Sequence, residues 1–144
     1  MEAIQNLFKV LDKATANKVL EKNDSIQSIL SNEEQKEPVP SSLNSNSGKY
    51  FKGSKCANQN EIDQMLLFLK DKEVYETVLE YRGSDHGWEA DDFHKRADNK
   101  DWTVSLFKIE DGDCVGGFTT QSWHERLFNF RDDNAFLFNL SCAR

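Results

Sequence analysis

The sequence contains few of the residues that mark membrane-spanning, disulfide-bonded or nucleic-acid-binding proteins. No apolar run approaches the roughly eighteen residues that a membrane-spanning helix needs. The three cysteines, Cys56, Cys114 and Cys142, have no metal-ligand spacing and cannot all pair, which favours reduced thiols in a cytosol-like compartment. Basic residues number 18 against 25 acidic residues, and the net charge of -7 opposes binding to nucleic acid or to anionic lipid.

The chain has only two prolines, Pro38 and Pro40, and both lie in a stretch over residues 31–48 that has almost no apolar side chain. The prolines disfavour a helix there, and the accompanying Ser, Asn and Gly residues are typical of a flexible linker. We therefore predict three parts: a front segment over residues 1–30, the linker, and a domain over residues 49–144.

Aromatic residues, in contrast, are plentiful, with ten Phe, three Trp and three Tyr. Almost all of them follow residue 49, which predicts that the hydrophobic core lies in the final 96 positions of the chain. A length of 144 residues allows one ordinary domain with an appendage.

The front segment carries apolar side chains at helical spacing. Ile4, Leu7, Phe8 and Leu11 recur at intervals of three and four, which predicts an amphipathic helical arm over residues 1–30. A strict heptad is absent, so a long dimeric coiled coil is poorly supported. Two alternatives follow. The arm packs against the chain's own second half, or its four apolar residues bind in the groove of a partner protein.

Short runs after residue 49 alternate between strand and helix patterns. An Asn at position 58 or 60, with an acid three residues later, is typical of a capping box at a helix start. The Asp111–Gly112 pair predicts a type I′ hairpin turn between two strands. The fold class that we expect is α+β, an antiparallel two-sheet β-sandwich, in part, with flanking short helices. The predicted elements are an extended segment over 50–56, strands over 74–81, 103–109, 114–119 and 134–140, and a short helix over 89–96.

Two adjacent glycines, Gly116 and Gly117, interrupt a predicted strand at a cost in backbone entropy. A bulge or the close approach of a bulky side chain, such as Trp88 or Trp123, is one explanation. A phosphate-binding loop is the other, although the Lys and the following helix of such loops are missing.

The histidines of the second half match no compact metal-binding motif. His86, His94 and His124 lack the spacing of metal ligands, even with the nearby Asp85, Asp91, Asp92 and Cys114. We therefore predict no metal and no cofactor.

Catalysis has equally little support. Ser84, Asp85 and His86 are the residue types of a hydrolase triad, but adjacent positions do not supply its geometry. A hydrolase that uses Ser84 or His94 is kept only as a third alternative. Cys114 and Cys142 are either oxidant sensors or packing residues, and a cysteine in a strand favours packing.

An ordered series of motifs resembles the TLDc domain of the oxidation-resistance proteins. The series is Tyr81-Arg82-Gly83-Ser84, Asp85-His86-Gly87-Trp88, Asp92-Phe93-His94, Asp98-Asn99-Lys100, Thr103, Gly116-Gly117-Phe118, Trp123 and the run from Asp133 to Leu140. The later half of that domain is not in this sequence, so the resemblance implies an incomplete domain. By resemblance, the structural motif consists of Gly87, Trp88, Phe93, His94, Asp98, Lys100, Gly116, Gly117, Trp123, Phe136 and Phe138.

The resemblance implies a function without catalysis. Members of the family protect against oxidative damage, and several bind the vacuolar-type proton ATPase and regulate its assembly. We therefore expect a cytoplasmic module that binds other proteins, with no nucleic acid and no membrane insertion. The alternative is an adaptor in a large assembly, such as a ciliary axoneme or a mitochondrial complex, anchored by the N-terminal helices.

Overall fold

The computed structural model describes residues 4–12, 49–124 and 130–140, which contain both strands and short helices. The strands are β1 (Ile4–Asp12), β2 (Val74–Arg82), β3 (Thr103–Lys108), β4 (Cys114–Thr119) and β5 (Phe136–Asn139). The helices are α1 (Gln59–Phe68), α2 (Gly83–His86) and α3 (Ala90–Ala97), with a 3₁₀ turn at Lys70–Lys72. The α+β class is confirmed. Within the described ranges, no helix has the length and apolar content needed to cross a bilayer.

The strands form a single antiparallel sheet in the order β2-β1-β3-β4-β5. The described residues contain no second sheet, so the predicted two-sheet sandwich is not confirmed. The strands predicted around residues 74, 103, 114 and 136 are all present, with ends that differ by one or two residues. The extended segment predicted over residues 50–56 is instead a series of turns and bends, and Phe51 has a φ of +51°.

The helix predicted for the front segment is wrong over Ile4–Asp12, which is the sheet strand β1. This strand lies between β2 and β3, and it pairs with both. Leu7 and Phe8 are fully buried and contribute to hydrophobic clusters on opposite faces of the sheet. A strand that is buried on both faces has apolar residues at consecutive positions, and these also satisfy a spacing of three and four.

The same finding places two of the four predicted partner-binding residues, Leu7 and Phe8, in the core. Leu11 lies opposite Glu76 of β2, and Ile4 lies opposite Lys108 of β3. The first of the two alternatives, packing on the chain's own second half, is therefore the observed one, with a strand in place of a helix. The rest of the predicted arm and the linker lie outside the described residues.

One face of the sheet carries the larger part of the core. Phe8, Val104 and Leu106 are fully buried on this face beneath Phe51 and Met65, which come from the irregular segment 49–57 and from α1. The ring of Phe8 meets the ring of Phe51 edge to face at 5.0 Å between centroids. Such a pair adds to the stabilisation from buried area.

The capping box predicted for α1 is confirmed at Asn58. Its side-chain oxygen accepts from the Glu61 N–H at 3.1 Å, and the Glu61 carboxylate accepts from the Asn58 N–H at 2.7 Å. These reciprocal bonds satisfy two backbone donors at the helix start and hold Met65 over the sheet.

The β3–β4 hairpin forms as predicted, but the type I′ turn is wrong. The Gly112 N–H donates to the Ile109 carbonyl at 3.0 Å, and the Ile109 N–H donates to the Asp113 carbonyl at 2.9 Å. Gly112, with a φ of +84°, is the only residue of this turn with positive φ. Three residues between the closing pair match the loop that ends in a glycine bulge, which requires a single left-handed residue.

Candidate interaction surface

The second face of the sheet is only partly covered in the described part of the chain. Leu7, Tyr81 and Ala97 are buried there, where α3 packs on β1 and β2. Phe93 and Trp123 complete this small cluster, with their rings edge to face at 5.0 Å between centroids. The remaining part of the face, over β3, β4 and β5, forms a groove that is open to solvent.

The groove has a floor of small residues and walls of large apolar ones. Ser105 lies opposite Gly117 in the β3–β4 ladder, and Gly117 lies opposite Leu137 in the β4–β5 ladder. Phe107 and Val115 form the next pair along and close one end. Together with the Phe93–Trp123 pair they enclose a cavity of about 710 Å³, within the range of ligand and anchor pockets.

Leu137 shows how open this surface is. Its side chain is 89% exposed, although strand alternation places it between Phe136 and Phe138, which pack against the main core. An isolated exposed leucine is ordinary, but this one borders a continuous apolar surface with Phe107 and Val115. We name this surface, lined by Ser105, Phe107, Val115, Gly117, Leu137 and the Phe93–Trp123 pair, the apolar groove.

The two glycines of β4 serve different faces. A β-carbon at Gly116 would collide with the Ser105 carbonyl oxygen and come within 2.7 Å of the Phe138 ring. A β-carbon at Gly117 would meet only the end of the Leu137 side chain, at 2.9 Å, and the Phe136 carbonyl, at 3.5 Å. Gly116 thus allows close packing in the core, whereas Gly117 provides depth to the groove.

Of the explanations offered for the glycines, the close approach of a bulky side chain is confirmed at Gly116, with Phe138 as that side chain. The strand pairs without a break on both sides of Gly116 and Gly117, so it contains neither a bulge nor a phosphate-binding loop. Phe138, rather than a tryptophan, covers Gly116. Trp88 instead lies over Gly83, where an added β-carbon would collide with its ring.

Several of the predicted motif residues hold Trp123 in position. Asp98 forms a bridge with Trp123, and the Asn99 N–H donates to the Trp123 carbonyl at 3.0 Å. The indole Nε1 donates to the Thr103 hydroxyl at 2.9 Å. The His94 ring Nδ1 lies 2.7 Å from the Asp98 carboxylate, which ties α3 to this loop. These contacts determine the wall of the groove at Trp123.

Lys100 and Gly87 stabilise the surrounding loops. The Lys100 ammonium lies 3.2 Å from the Glu80 carboxylate. Gly87 has a φ of +105°, and an added β-carbon would collide with the Asp92 carboxylate. Its carbonyl accepts from the Tyr81 hydroxyl at 2.6 Å, which links the turn before α3 to the buried cluster.

A buried arginine organises the turn between β2 and α2. Arg82 is only 9% exposed, and its guanidinium donates to Asn6 at 3.0 Å, to Asp85 at 2.6 Å and to the Gly53 carbonyl. The planar guanidinium joins β1, the irregular segment before α1 and the turn in one network. The hydrogen bond from Arg82, with a second from Ser84, lowers the pKa of Asp85 to about 2.

The residues of the hypothetical triad are engaged in this turn. The Ser84 hydroxyl donates to Asp85 at 2.9 Å, and His86 Nδ1 accepts from the Arg82 N–H at 3.0 Å. The serine therefore bonds to a carboxylate and not to an imidazole, which is not the order that activates a nucleophile. In the described part of the chain, no three His, Cys, Asp or Glu side chains lie close enough to hold a metal ion.

The two described cysteines, Cys56 and Cys114, are buried in the main core. Burial, with a smaller contribution from nearby Cys56, raises the pKa of Cys114 to about 12. Burial also raises the pKa of Cys56. A thiol that stays protonated reacts slowly with oxidants, so packing is the role that this environment favours for both. Cys142 lies outside the described residues.

Sequence reasoning did not assign Phe107 or Leu137 to a binding site, and it left Asp132 as either a surface ion-pair residue or part of an acidic docking patch. Asp132 fixes the loop before β5, because its carboxylate accepts from the Thr119 hydroxyl, from the N–H and hydroxyl of Thr120 and from the Asn134 N–H. For Leu137, the strand alternation that places Phe136 and Phe138 in the core was the available signal. It did not show that the opposite face would be open.

The comparisons with known proteins identify the family. The TLDc domain model matches residues 50–143, which is more than half of the chain. No curated protein and no solved structure matches the chain. The matched range contains four of the five described strands, all three described helices and every residue by which the apolar groove is defined. The chain therefore belongs to the TLDc domain family.

Proposed function

We propose that this chain is a non-enzymatic protein-interaction module of the TLDc type. The observation that supports this proposal is the apolar groove, where large side chains such as Leu137 and Phe107 surround a floor of small residues. Continuous apolar surfaces that are rimmed by polar residues are typical of sites where other proteins bind.

The polar residues next to the groove support a binding role over a catalytic one. The hydroxyl of Thr103 and the side chains of His94 and Asp98 are each engaged in bonds that hold Trp123 or its loop. A catalytic site would need a nucleophile, a base and charge-stabilising donors that converge on one open position. The groove instead has a lining that is mostly apolar.

The partner that we propose is a subunit of the vacuolar-type proton ATPase, and the cellular role is protection against oxidative damage. Both follow from what is expected of this family, together with the acidic charge of -7, which opposes nucleic acid as a partner. The buried, protonated thiols Cys56 and Cys114 favour protection through binding, not through thiol chemistry. The compartment that we propose is the cytoplasm.

A pull-down with purified components tests this function. The full chain, immobilised, is incubated with the separate soluble subunits of the vacuolar-type ATPase and with the assembled soluble sector. We expect at least one of these to be retained in a saturable manner. Retention of none of them would contradict the proposed partner. The hydrolase alternative predicts that Ser84→Ala or His94→Ala abolishes turnover of an ester or peptide, and we expect no turnover by the unaltered chain.

The adaptor alternative needs a different anchor from the one first expected. Because Ile4–Asp12 is a central strand, only the part of the arm over residues 13–30 is left to anchor the chain in an axoneme or a mitochondrial complex. Deleting residues 1–48 would remove β1 and damage the sheet. A better test replaces residues 13–48 with a short Gly-Ser linker. The ends are close enough, since Asp12 pairs with Val74 and the Tyr50 hydroxyl donates to the Val74 carbonyl. An adaptor would lose its location, whereas an autonomous module would keep its binding.

A further inference from the structure

We propose that the apolar groove binds a partner segment that inserts one bulky apolar side chain between Ser105 and Gly117 and carries Lys or Arg on the side that faces the turn between β3 and β4. This inference rests on the proposed role as an interaction module, and it names the surface and the chemistry of the partner. Its two supports are the shape of the groove and the charge around it.

The shape calls for a bulky anchor. Ser105 and Gly117 are neighbours on adjacent strands, and neither has a side chain that rises above the sheet as far as its surroundings do. Phe107, Leu137 and Trp123 stand around them. The space between these walls has room for a large apolar side chain, such as Leu, Phe or Trp, with the neighbouring residues of its segment. Anchors of this kind contribute most of the energy of many interfaces because they are fully desolvated in a preformed pocket.

The charge around the groove determines what flanks the anchor. At the end closed by Phe107 and Val115, the hairpin turn contributes Glu110, Asp111 and Asp113. The opposite end borders a second depression, which is lined in part by Thr119, Trp123 and Asp132.

Two acidic residues, Asp132 and Asp133, lie in the loop at that opposite end. Among the described residues, Lys108 is the basic side chain next to the turn. At the opposite end Arg131 pairs with Asp133 at 2.7 Å, and the Lys72 ammonium donates to Asn134 at 3.2 Å. Carboxylates therefore predominate at the turn between β3 and β4, whereas acidic and basic side chains balance at the opposite end. A basic segment gains from this field, and the attraction weakens as salt is added.

The same charges argue against a second copy of this chain as the occupant. A symmetric dimer through the groove would place two copies of the acidic turn, each with Glu110 and Asp111, in one interface. Like charges at an interface weaken binding and reject such partners. A segment with Lys or Arg beside its anchor avoids this repulsion.

The binding test uses the full chain and two labelled synthetic peptides that share one apolar pattern around a central Phe. One peptide carries Lys at the flanking positions, and the other carries Glu. Fluorescence anisotropy should show saturable binding of the Lys peptide, weakened by added salt, and little binding of the Glu peptide. Equal binding of both peptides, or binding of neither, would overturn the inference.

Two groove variants and one matched control locate the binding. Gly117→Val fills the floor, and we expect an affinity loss of roughly tenfold or more, as when an anchor loses its pocket. Leu137→Lys changes a side chain that is 89% exposed, so it leaves the fold intact while it opposes a basic segment. The control for it is Leu67→Lys, since Leu67 is 67% exposed on α1, over the other face of the sheet. Circular dichroism and thermal melting verify that each variant is folded.

A second pair of variants tests the role of charge. It compares Asp111→Asn, in the hairpin turn, with Glu76→Gln on the distant edge strand β2. We expect Asp111→Asn to lower the affinity for the Lys peptide and to make that affinity less dependent on salt. We expect Glu76→Gln to leave the affinity and its salt dependence unchanged. Equal effects of the two variants would mean that only the net charge of the chain matters, which contradicts a site at the groove. Sedimentation measurements that show a dimer abolished by Leu137→Lys would also overturn the inference, because the occupant would then be a second copy.

The outcome is separable from that of the proposed function. If Gly117→Val still retains an ATPase subunit and the Lys peptide does not bind, the groove inference fails and the module binds through another surface. If the Lys peptide binds in the groove and no ATPase subunit is retained, the groove inference holds and the proposed partner is wrong.

Discussion

The ring of Phe138 lies so close over Gly116 that a β-carbon at this glycine would come within 2.7 Å of it. The next residue, Gly117, points to the opposite face of the sheet and borders the open groove. Adjacent residues of one strand therefore have different roles: Gly116 allows a core ring to pack closely, and Gly117 gives depth to a surface pocket.

This relationship predicts different results for the two glycines. Gly116→Ala forces a side chain against the Ser105 carbonyl and the Phe138 ring, so we expect a loss of roughly 1–3 kcal/mol or more in the free energy of unfolding. Gly117→Ala meets only the end of a flexible, exposed leucine, and we expect stability within about 0.5 kcal/mol of the unaltered chain. Urea unfolding of the two variants measures both. Equal losses would mean that Phe138 does not pack on Gly116.

The position of β1 predicts that Phe8 is a stability residue. Phe8→Ala removes a fully buried ring that packs on Phe51, and we expect a loss of about 3–5 kcal/mol. Leu67→Ala, at an exposed position of α1, is the control, with an expected change within about 0.5 kcal/mol. If the front segment were instead an arm for a partner, Phe8→Ala would leave unfolding unchanged and reduce only binding.

Two arginine–aspartate pairs of similar length allow a matched test of burial. Arg82 lies 2.6 Å from Asp85 and is largely buried, whereas Arg131 lies 2.7 Å from Asp133 and is 87% exposed at its side chain. Arg82→Ala leaves Asn6 and the Gly53 carbonyl without their donor, and we expect a loss of about 3 kcal/mol or more. We expect Arg131→Ala to lower the free energy of unfolding by less than about 1 kcal/mol. Chemical unfolding of both variants decides whether the Arg82 network stabilises the fold.

Acid should weaken the turn at Asp85 in a defined range. The folded pKa of Asp85, about 2, lies below its ordinary value of 3.8 because Arg82 and then Ser84 donate to the carboxylate. A carboxyl with a depressed folded pKa contributes stability that is present above the unfolded value and is lost as the pH falls through the folded value. We therefore expect Asp85→Asn to flatten the stability profile between pH 3.8 and about 2. A profile of unchanged slope in that range would contradict the pairing.

The buried thiols predict slow modification of the folded chain. Because the pKa of Cys114 is raised to about 12 and that of Cys56 is also raised, both stay protonated near neutral pH. Iodoacetamide labelling followed by mass spectrometry should modify both residues only when denaturant is added. Rapid labelling of either cysteine without denaturant would support the oxidant-sensor alternative.

Features that depend on neighbours in the sequence were predictable. The capping box at Asn58, the position of the hairpin and the alternation of Phe136 with Leu137 all follow from residues a few positions apart. The type of the hairpin turn was not predictable. The loop contains one residue more than the Asp111–Gly112 pair suggests, and this changes the conformation that Asp111 adopts.

The strand state of β1 was not predictable from neighbouring residues for a different reason. The apolar spacing of residues 4–11 satisfies a helix stripe and also a strand that is buried on both faces. The choice between them is made by pairing with β2 and β3. Tyr81, the partner of Leu7, lies 74 positions along the chain, and Val104, the partner of Phe8, lies 96 positions along it. Pairing at such separation overrides local propensity.

The sequence by itself determined the family, the α+β class and the short elements, because each depends on an ordered series of residues or on nearby contacts. Only the tertiary structure decided that β1 is a central strand and that Phe138 covers Gly116. It also decided that the face of Ser105, Gly117 and Leu137 is an open groove in the described part of the chain. The reason is that burial of a sheet face depends on which distant segments pack against it, and alternation along a strand does not specify those segments.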